Sequence, residues 1–243
     1  MNESFRKKSK NLLFLDIETV CVVPSYDQLD GRMQQLWDTK ATNIRNDDKL
    51  SAFDLFFKRA AIYSEFAKII CIGYGGFFGQ ENDELSFKVR CLQNHDERQL
   101  LLDFKKLVER YPQESLVLCA HNGKEFDFPF ICRRMLVNGV DLPPALQLAG
   151  KKPWEILHQD TMEMWKFGDN KHYTSLDLLA ALFNVPSSKS DISGEDVSRV
   201  YHLDNDLPRI ARYCKTDVIV MAQVYLRLIG LPIVLPQNIV VGD

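Results

Sequence analysis

The feature that most restricts how this chain can fold is the stretch FLDIETV at residues 14–20. An apolar run, Leu12 to Leu15, leads into Asp16, then Ile17, then Glu18. The run reads as a buried strand, and a strand sends alternate side chains to opposite faces, so Asp16 and Glu18 point the same way. Two carboxylates that close repel each other unless a positive group sits between them. The fold therefore has to bring something positive to this strand.

Two further acids stand where solvation is a strained account. Asp127 lies in HNGKEFDFPF, just after the apolar run 115–120. Asp217 lies in ARYCKTDVIVMAQVYL, inside a helix expected over residues 206–230. Tyr213 precedes Asp217 by four residues, so the two share one helix face a turn apart.

The rest of the chain alternates strand-like and helix-like segments. Strands are expected over 11–16, 66–78 and 86–92, with GYGG at 73–76 read as a turn that breaks the second. It lacks the Lys and Ser/Thr of a phosphate loop. A helix over 96–111 has Asp96 as its N-cap, followed by a strand at 115–120 and a helix at 126–138. A connection spans 141–153. WEILHQDTMEMW reads as strand then turn, TSLDLLAALFNV as a helix, and PSSKSDISGEDV as a polar loop. Residues 28–38 and 50–60 look helical, separated by TKATNIRNDDK. This order predicts an α/β fold, a central mixed sheet flanked by helices. The expected organisation is one domain over 1–243, with a helical excursion at 21–65 after the first strand and a C-terminal tail at 231–243.

Composition excludes several classes. Hydrophobic residues make up 46% and charged residues 26% of 243, which is ordinary globular usage. No apolar run reaches the roughly 18 residues of a membrane span. The N-terminus, MNESFRKKSK, is polar and basic rather than a signal peptide, so a cytoplasmic protein with no membrane partner is expected. None of the six cysteines forms a C-x-x-C pair, and they read as buried free thiols rather than a zinc site or disulfide frame. Net charge is −3, without the basic excess typical of proteins that grip duplex DNA by its phosphates. Nucleic-acid binding would have to come from local basic patches or bound metal.

In α/β sheets, clefts form at the carboxyl ends of adjacent strands. If Asp16, Glu18, Asp127 and Asp217 converge there, they cannot all stay ionised without cations. Hard divalent ions with oxygen ligands, Mg²⁺ or Mn²⁺, suit them. Two such ions roughly 4 Å apart activate a water and stabilise a leaving oxygen at phosphorus. The expected substrate is a phosphodiester.

The order D-x-E, N-x-x-x-F-D, Y-x-x-x-D resembles the DEDD superfamily of 3′–5′ exonucleases, which have an RNase H-like fold. FLDIETV is similar to its first motif, HNGKEFDFPFI to its second and YCKTDV to its third, with Tyr213 marking the tyrosine subclass. AIYSEFAKIICIGYG, HYTSLDLLAALF and SGEDVSRVY extend the likeness, over about residues 10–230, to bacterial predicted exonucleases related to the proofreading domain of family-B DNA polymerases. No polymerase domain follows, so a free-standing nuclease is expected.

The resemblance implies roles. Asp16 would bridge two metals, Glu18 and Asp217 would bind the one holding the attacking water, and Asp127 would contact the other. Tyr213 would orient the water. Asn122 and Phe126 would lie beside the terminal nucleotide, although an aromatic at 126 also suits the core. Thr19 would donate to the 3′ end by its N–H or hydroxyl. The implied activity is hydrolysis of single-stranded DNA to nucleoside 5′-monophosphates. The alternatives are an RNA-trimming exoribonuclease and a nucleic-acid binding protein without catalysis. DNA repair is the expected setting, though RNA turnover and phage defence would use the same acids.

Other polar residues carry plainer readings. Asp160 caps the turn or helix starting at Thr161. Asp177 faces solvent or bonds a neighbouring loop. His121 is a buried, hydrogen-bonded histidine, and His158, His172 and His202 show no metal-ligand spacing. The excursion 21–65 carries Lys40, Arg45, Lys49, Lys58 and Arg59. It either covers the mouth of the site and selects single strands or forms a cap with no role in substrate choice.

Overall fold

A computed structural model describes residues 3–79, 84–169, 173–186 and 192–242. The core is a six-stranded mixed sheet in the order β5-β4-β1-β2-β3-β6. The strands are β1 (Leu12–Cys21), β2 (Ala67–Gly79), β3 (Leu85–Gln93), β4 (Val117–Ala120), β5 (Gln159–Asp160) and β6 (Ile239–Val241). β1, β2 and β3 are successive antiparallel neighbours, while β4 runs parallel to β1, β5 to β4 and β6 to β3. The helices are α1 (Glu3–Ser9), α2 (Gly31–Ala41), α3 (Ala52–Arg59), α4 (Glu97–Val108), α5 (Asp127–Val137), α6 (Thr161–Lys166), α7 (Leu176–Leu182), α8 (Val197–Arg199) and α9 (Leu207–Leu228). This is the α/β, RNase H-like architecture that the sequence implies. No helix among the described residues is long and apolar enough to cross a membrane.

The position of the acids follows from strand pairing. β1 continues to Cys21, well past the expected end at residue 16, because β2 pairs with it as far as Ala67, across a bulge between Glu18 and Thr19. β4 pairs with β1 only over Leu12–Phe14. From Asp16 onward, one edge of β1 is therefore released by its parallel neighbour, and the acids sit mid-strand at an opening in the sheet.

The helix α9 lies across β1, β2 and β3. Phe14 and Asp16 share a strand face, and both meet this helix. The Phe14 ring packs edge-on against Tyr225 at 5.2 Å, and Asp16 contacts Cys214 at 3.4 Å. Phe14 also packs against Phe77 and Phe87, with centroids 5.2 and 5.7 Å away. Each such aromatic pair adds about 0.5–1.5 kcal/mol beyond area burial. The apolar half of this interface anchors α9, and the polar half holds Tyr213 and Asp217 against β1.

Two expectations are corrected here. GYGG is not a turn: β2 runs straight through it, with Gly73 opposite Asp16 and Gly75 opposite Phe14. The glycines serve close approach. A Cβ on Gly73 would lie 2.8 Å from the Cys214 sulfur, and one on Gly75 would lie 2.5 Å from the Phe87 ring. Within 231–243, expected as a tail, Ile239–Val241 pair with Phe87–Val89 and extend the sheet.

The excursion 21–65 folds around its own small core. Trp37 is fully buried, with Phe56 and Phe66 rings at 5.2 and 5.0 Å. Asp30 and Ser51 cap α2 and α3 through backbone N–H groups. Lys40, Arg45 and Lys58 pair with Glu65, Asp47 and Asp48, so much of its basic charge is matched locally. Of the expected polar loop, residues 187–191 lie outside the described residues, as does His172.

Candidate active site

Asp16, Glu18, Asp127 and Asp217 all line one cleft of about 500 Å³, together with Tyr213, Thr19, Asn122 and Phe126. Three separate elements supply the acids. Asp16 and Glu18 come from β1, Asp127 is the first residue of α5, and Asp217 comes from α9. Asp127 is tied to β1 directly, its Oδ1 accepting the Ile17 N–H at 3.2 Å. Tyr213 donates its hydroxyl hydrogen to Asp217, as their spacing of one helical turn allows.

The electrostatics are those of crowded like charges. Burial, followed by the Asp127 and Asp217 charges, holds the Asp16 carboxyl well above the usual range. Burial, followed by Asp16 and Asp217, does the same for Glu18. Asp127 is pushed up to about 7 by burial, against the lowering effect of the backbone N–H groups it accepts. Tyr213 is raised above the ordinary phenol value by burial and then by Asp217, so its hydroxyl keeps its proton. A donor set of four carboxylates, in which the charges of the others raise Asp16 and Glu18, fits hard divalent cations, which supply the missing positive charge.

Asp160 holds the turn that carries Asn122. It is 1% exposed. Its carboxylate caps α6 through Met162 and Glu163 and also accepts the N–H groups of Asn122 and Lys124 at 3.0 and 3.1 Å. The expected cap is thus present, and it also fixes the turn that leads from β4 to Asp127. Asn122, held in the left-handed region at φ 60°, leaves its buried Oδ1 without a hydrogen-bond partner on the cleft wall. Phe126 meets both readings, since one side packs toward Phe130 at 5.3 Å while the residue also lines the cleft. Thr19 lines the cleft, but its hydroxyl donates to the Ala61 oxygen at 2.7 Å.

His121 is half-buried and bonded to the Thr161 hydroxyl and the Thr174 oxygen at 2.9 and 2.8 Å. His158 is buried between the Leu118 N–H and the Ala145 oxygen. Asp177 is exposed on the cleft rim. Sequence reasoning missed Tyr173, which lines the cleft within electrostatic reach of Asp127 and Asp16. It also missed Ala61 and Ile62, through which the excursion borders the cleft. No local pattern marks these residues, which reach the site only through the tertiary fold.

A family model described as a predicted 3′–5′ exonuclease related to the exonuclease domain of PolB matches residues 62–236. That span holds Asp127, Tyr213 and Asp217 and begins after Asp16 and Glu18, whose place in the site rests on the geometry above. Comparison with curated proteins returned no match. Among solved structures, the family B DNA polymerase from the hyperthermophilic archaeon Pyrobaculum calidifontis is similar in fold, with TM-score 0.55 and 15% identity. The likeness covers 90% of this chain and 24% of the polymerase. The chain belongs to the family of predicted 3′–5′ exonucleases related to the exonuclease domain of PolB.

Proposed function

We propose that this exonuclease acts on single-stranded DNA with two divalent cations, Mg²⁺ or Mn²⁺, and releases nucleoside 5′-monophosphates. The observation that carries the reading is the convergence of four carboxylates from β1, α5 and α9 on one cleft. Asp16, Glu18, Asp127 and Asp217 would hold the cations. When bound, they supply a polarised water and charge stabilisation at phosphorus. In the reaction a water oxygen bonds to phosphorus, the P–O3′ bond breaks, and the departing 3′-oxygen takes up a proton.

The chain's own residues supply position. Tyr213 stays protonated beside Asp217 and orients the attacking water by its hydroxyl rather than abstracting a proton. Asn122 offers a buried, unpartnered amide oxygen to the terminal nucleotide, and Phe126 and Tyr173 offer aromatic faces for stacking. Single strands are favoured because Glu18 and Asp127 are buried on the cleft floor, and a paired terminus has to fray to reach them. The preference for DNA follows the family's relation to the PolB exonuclease domain.

The test uses a 5′-labelled single strand, as DNA and as RNA, incubated with protein in Mg²⁺, Mn²⁺ or EDTA, with Asp16→Ala as control. A metal-dependent ladder shortening from the 3′ end, faster for DNA and absent in Asp16→Ala, is expected. Faster loss of RNA would move the substrate to RNA. Near-normal turnover by Asp16→Ala would overturn the site.

A further inference from the structure

Three of the six cysteines meet under α9, beside the acids. Cys71 lies on β2, Cys91 on β3 and Cys214 on α9, and their sulfurs all lie within 4.8 Å of one another. Strand register explains the meeting. Asp16, Gly73 and Cys91 form one row across β1, β2 and β3, and Glu18, Cys71 and Gln93 form another. Directly paired residues share a sheet face, so the two acids and the two strand thiols face α9 together. Gly73 leaves a gap in this surface. The Cys214 sulfur fills it and accepts the Gly73 N–H at 3.1 Å. That sulfur is 3.4 Å from Asp16 Oδ2, and Asp16, Glu18 and Cys214 themselves place donor atoms within 4.8 Å of one another. Cys214 belongs to both groups.

A single buried thiol is a small apolar filler. Three convergent thiols are a donor set, and sulfur ligands select zinc and softer cations where carboxylates suit magnesium. Around a tetrahedral zinc with Zn–S of about 2.3 Å, sulfurs stand roughly 3.8 Å apart. The cluster is compact enough for this. Cys71 and Cys91 are only 2.7 Å apart, so one side chain has to turn. Cys91 is half-buried, whereas Cys71 and Cys214 are fully buried, which makes Cys91 both the residue that moves and the way in.

We propose that Cys71, Cys91 and Cys214 bind one thiophilic divalent cation of the zinc class, and that occupancy draws Asp16 toward it and so inhibits the nuclease. The inhibition rests on the function proposed above; the binding does not.

The test titrates the full chain, reduced with a phosphine, with cadmium and with zinc. One cadmium per chain and a thiolate-to-metal charge-transfer band in the ultraviolet are expected. Cys91→Ser should lose the band, Cys132→Ser should keep it, and Asp16→Asn should keep it while lacking nuclease activity. In Mg²⁺, Cys91→Ser should retain hydrolysis within about twofold and lose most of the zinc inhibition of the native chain. A band with no nuclease activity in any protein would leave the thiol site standing and remove only the functional reading. No band, or the same band in Cys91→Ser, would overturn the site. So would protein isolated two hydrogens lighter, with Cys71 and Cys91 joined, that takes up no cadmium after reduction.

Discussion

The backbone N–H of Ile17 donates to Asp127 Oδ1 at 3.2 Å and joins two parts of the acid cluster that are 110 residues apart in the chain. A continued β4 would have offered a carbonyl on this side of β1, but β4 pairs only as far as Phe14. The carboxylate at the start of α5 takes over as acceptor. Asp127 thus has two separable jobs, as a backbone partner and as a negative charge in the cleft.

Those jobs respond differently to substitution. Asp127→Asn keeps an oxygen for Ile17 and loses the charge, so it should fold normally and lose activity. Asp127→Ala leaves a buried N–H unpaired, which costs about 1–3 kcal/mol. Urea unfolding of both variants without metal should find the alanine variant less stable than the asparagine variant, with both impaired in single-turnover hydrolysis. Equal stability would mean that the Ile17 bond contributes nothing.

The raised carboxyls make stability depend on pH and metal together. An aspartate in an unfolded chain titrates near 3.9, while Asp127 in the fold is pushed up to about 7, and Asp16 and Glu18 are raised in the same direction. The native state keeps these protons where the unfolded state has released them. The resulting stability is therefore full below about pH 4 and lost as pH rises through 7. Bound cations offset the repulsion, so Mg²⁺ should raise Tm more at pH 8 than at pH 5. Asp16→Asn should raise the metal-free Tm at pH 8 and shrink the Mg²⁺ effect. Calorimetry across pH, with and without Mg²⁺, checks the sign.

The candidate site was more legible in the sequence than its surroundings, since the named residues line one cleft. Asp16, Glu18, Asp127, Tyr213 and Asp217 were nameable because each sits at a fixed offset within a short segment, and those offsets survive folding. GYGG was misread because glycines usually mark turns. Here they mark places where Cys214 and Phe87 come close from other segments, and such contacts leave no local trace. The Cys71–Cys91–Cys214 cluster was invisible for the same reason, since it is assembled by strand register and helix docking. Thr19 shows the limit of motif reading. Its position was legible, but its hydroxyl bond to Ala61 depends on how the excursion returns to the sheet.

Tyr213 should matter less than the acids. Its hydroxyl is bonded to Asp217 and remains protonated well above neutral pH, so in the proposed mechanism its part is orientation. A lost positioning or stabilising group of this kind costs about 10²–10³-fold at most. Tyr213→Phe should therefore slow hydrolysis by no more than that, with metal affinity and the pH–rate profile below pH 9 little changed. A loss as large as that of Asp16→Ala, or a lost alkaline limb in the profile, would assign the tyrosine a proton-transfer role.

Gly73 tests whether α9 must lie as close to the sheet as the structure has it. An alanine Cβ there would lie 2.8 Å from the Cys214 sulfur, 3.0 Å from Val218 Cγ2 and 3.1 Å from the Cys214 carbonyl oxygen. The sulfur can swing away, but the carbonyl belongs to the helix backbone, so α9 itself has to move. Overpacking of this kind costs about 1–3 kcal/mol. Because Tyr213 and Asp217 flank Cys214 on the same helix, the displacement should carry into the cleft. Gly73→Ala should therefore lower both Tm and kcat. Adding Cys214→Ala removes the sulfur contact but leaves the Val218 and carbonyl contacts, so the double variant should recover part of the stability and less of the activity. Full recovery of both would place the clash in the thiol alone and leave the helix position without consequence for the site.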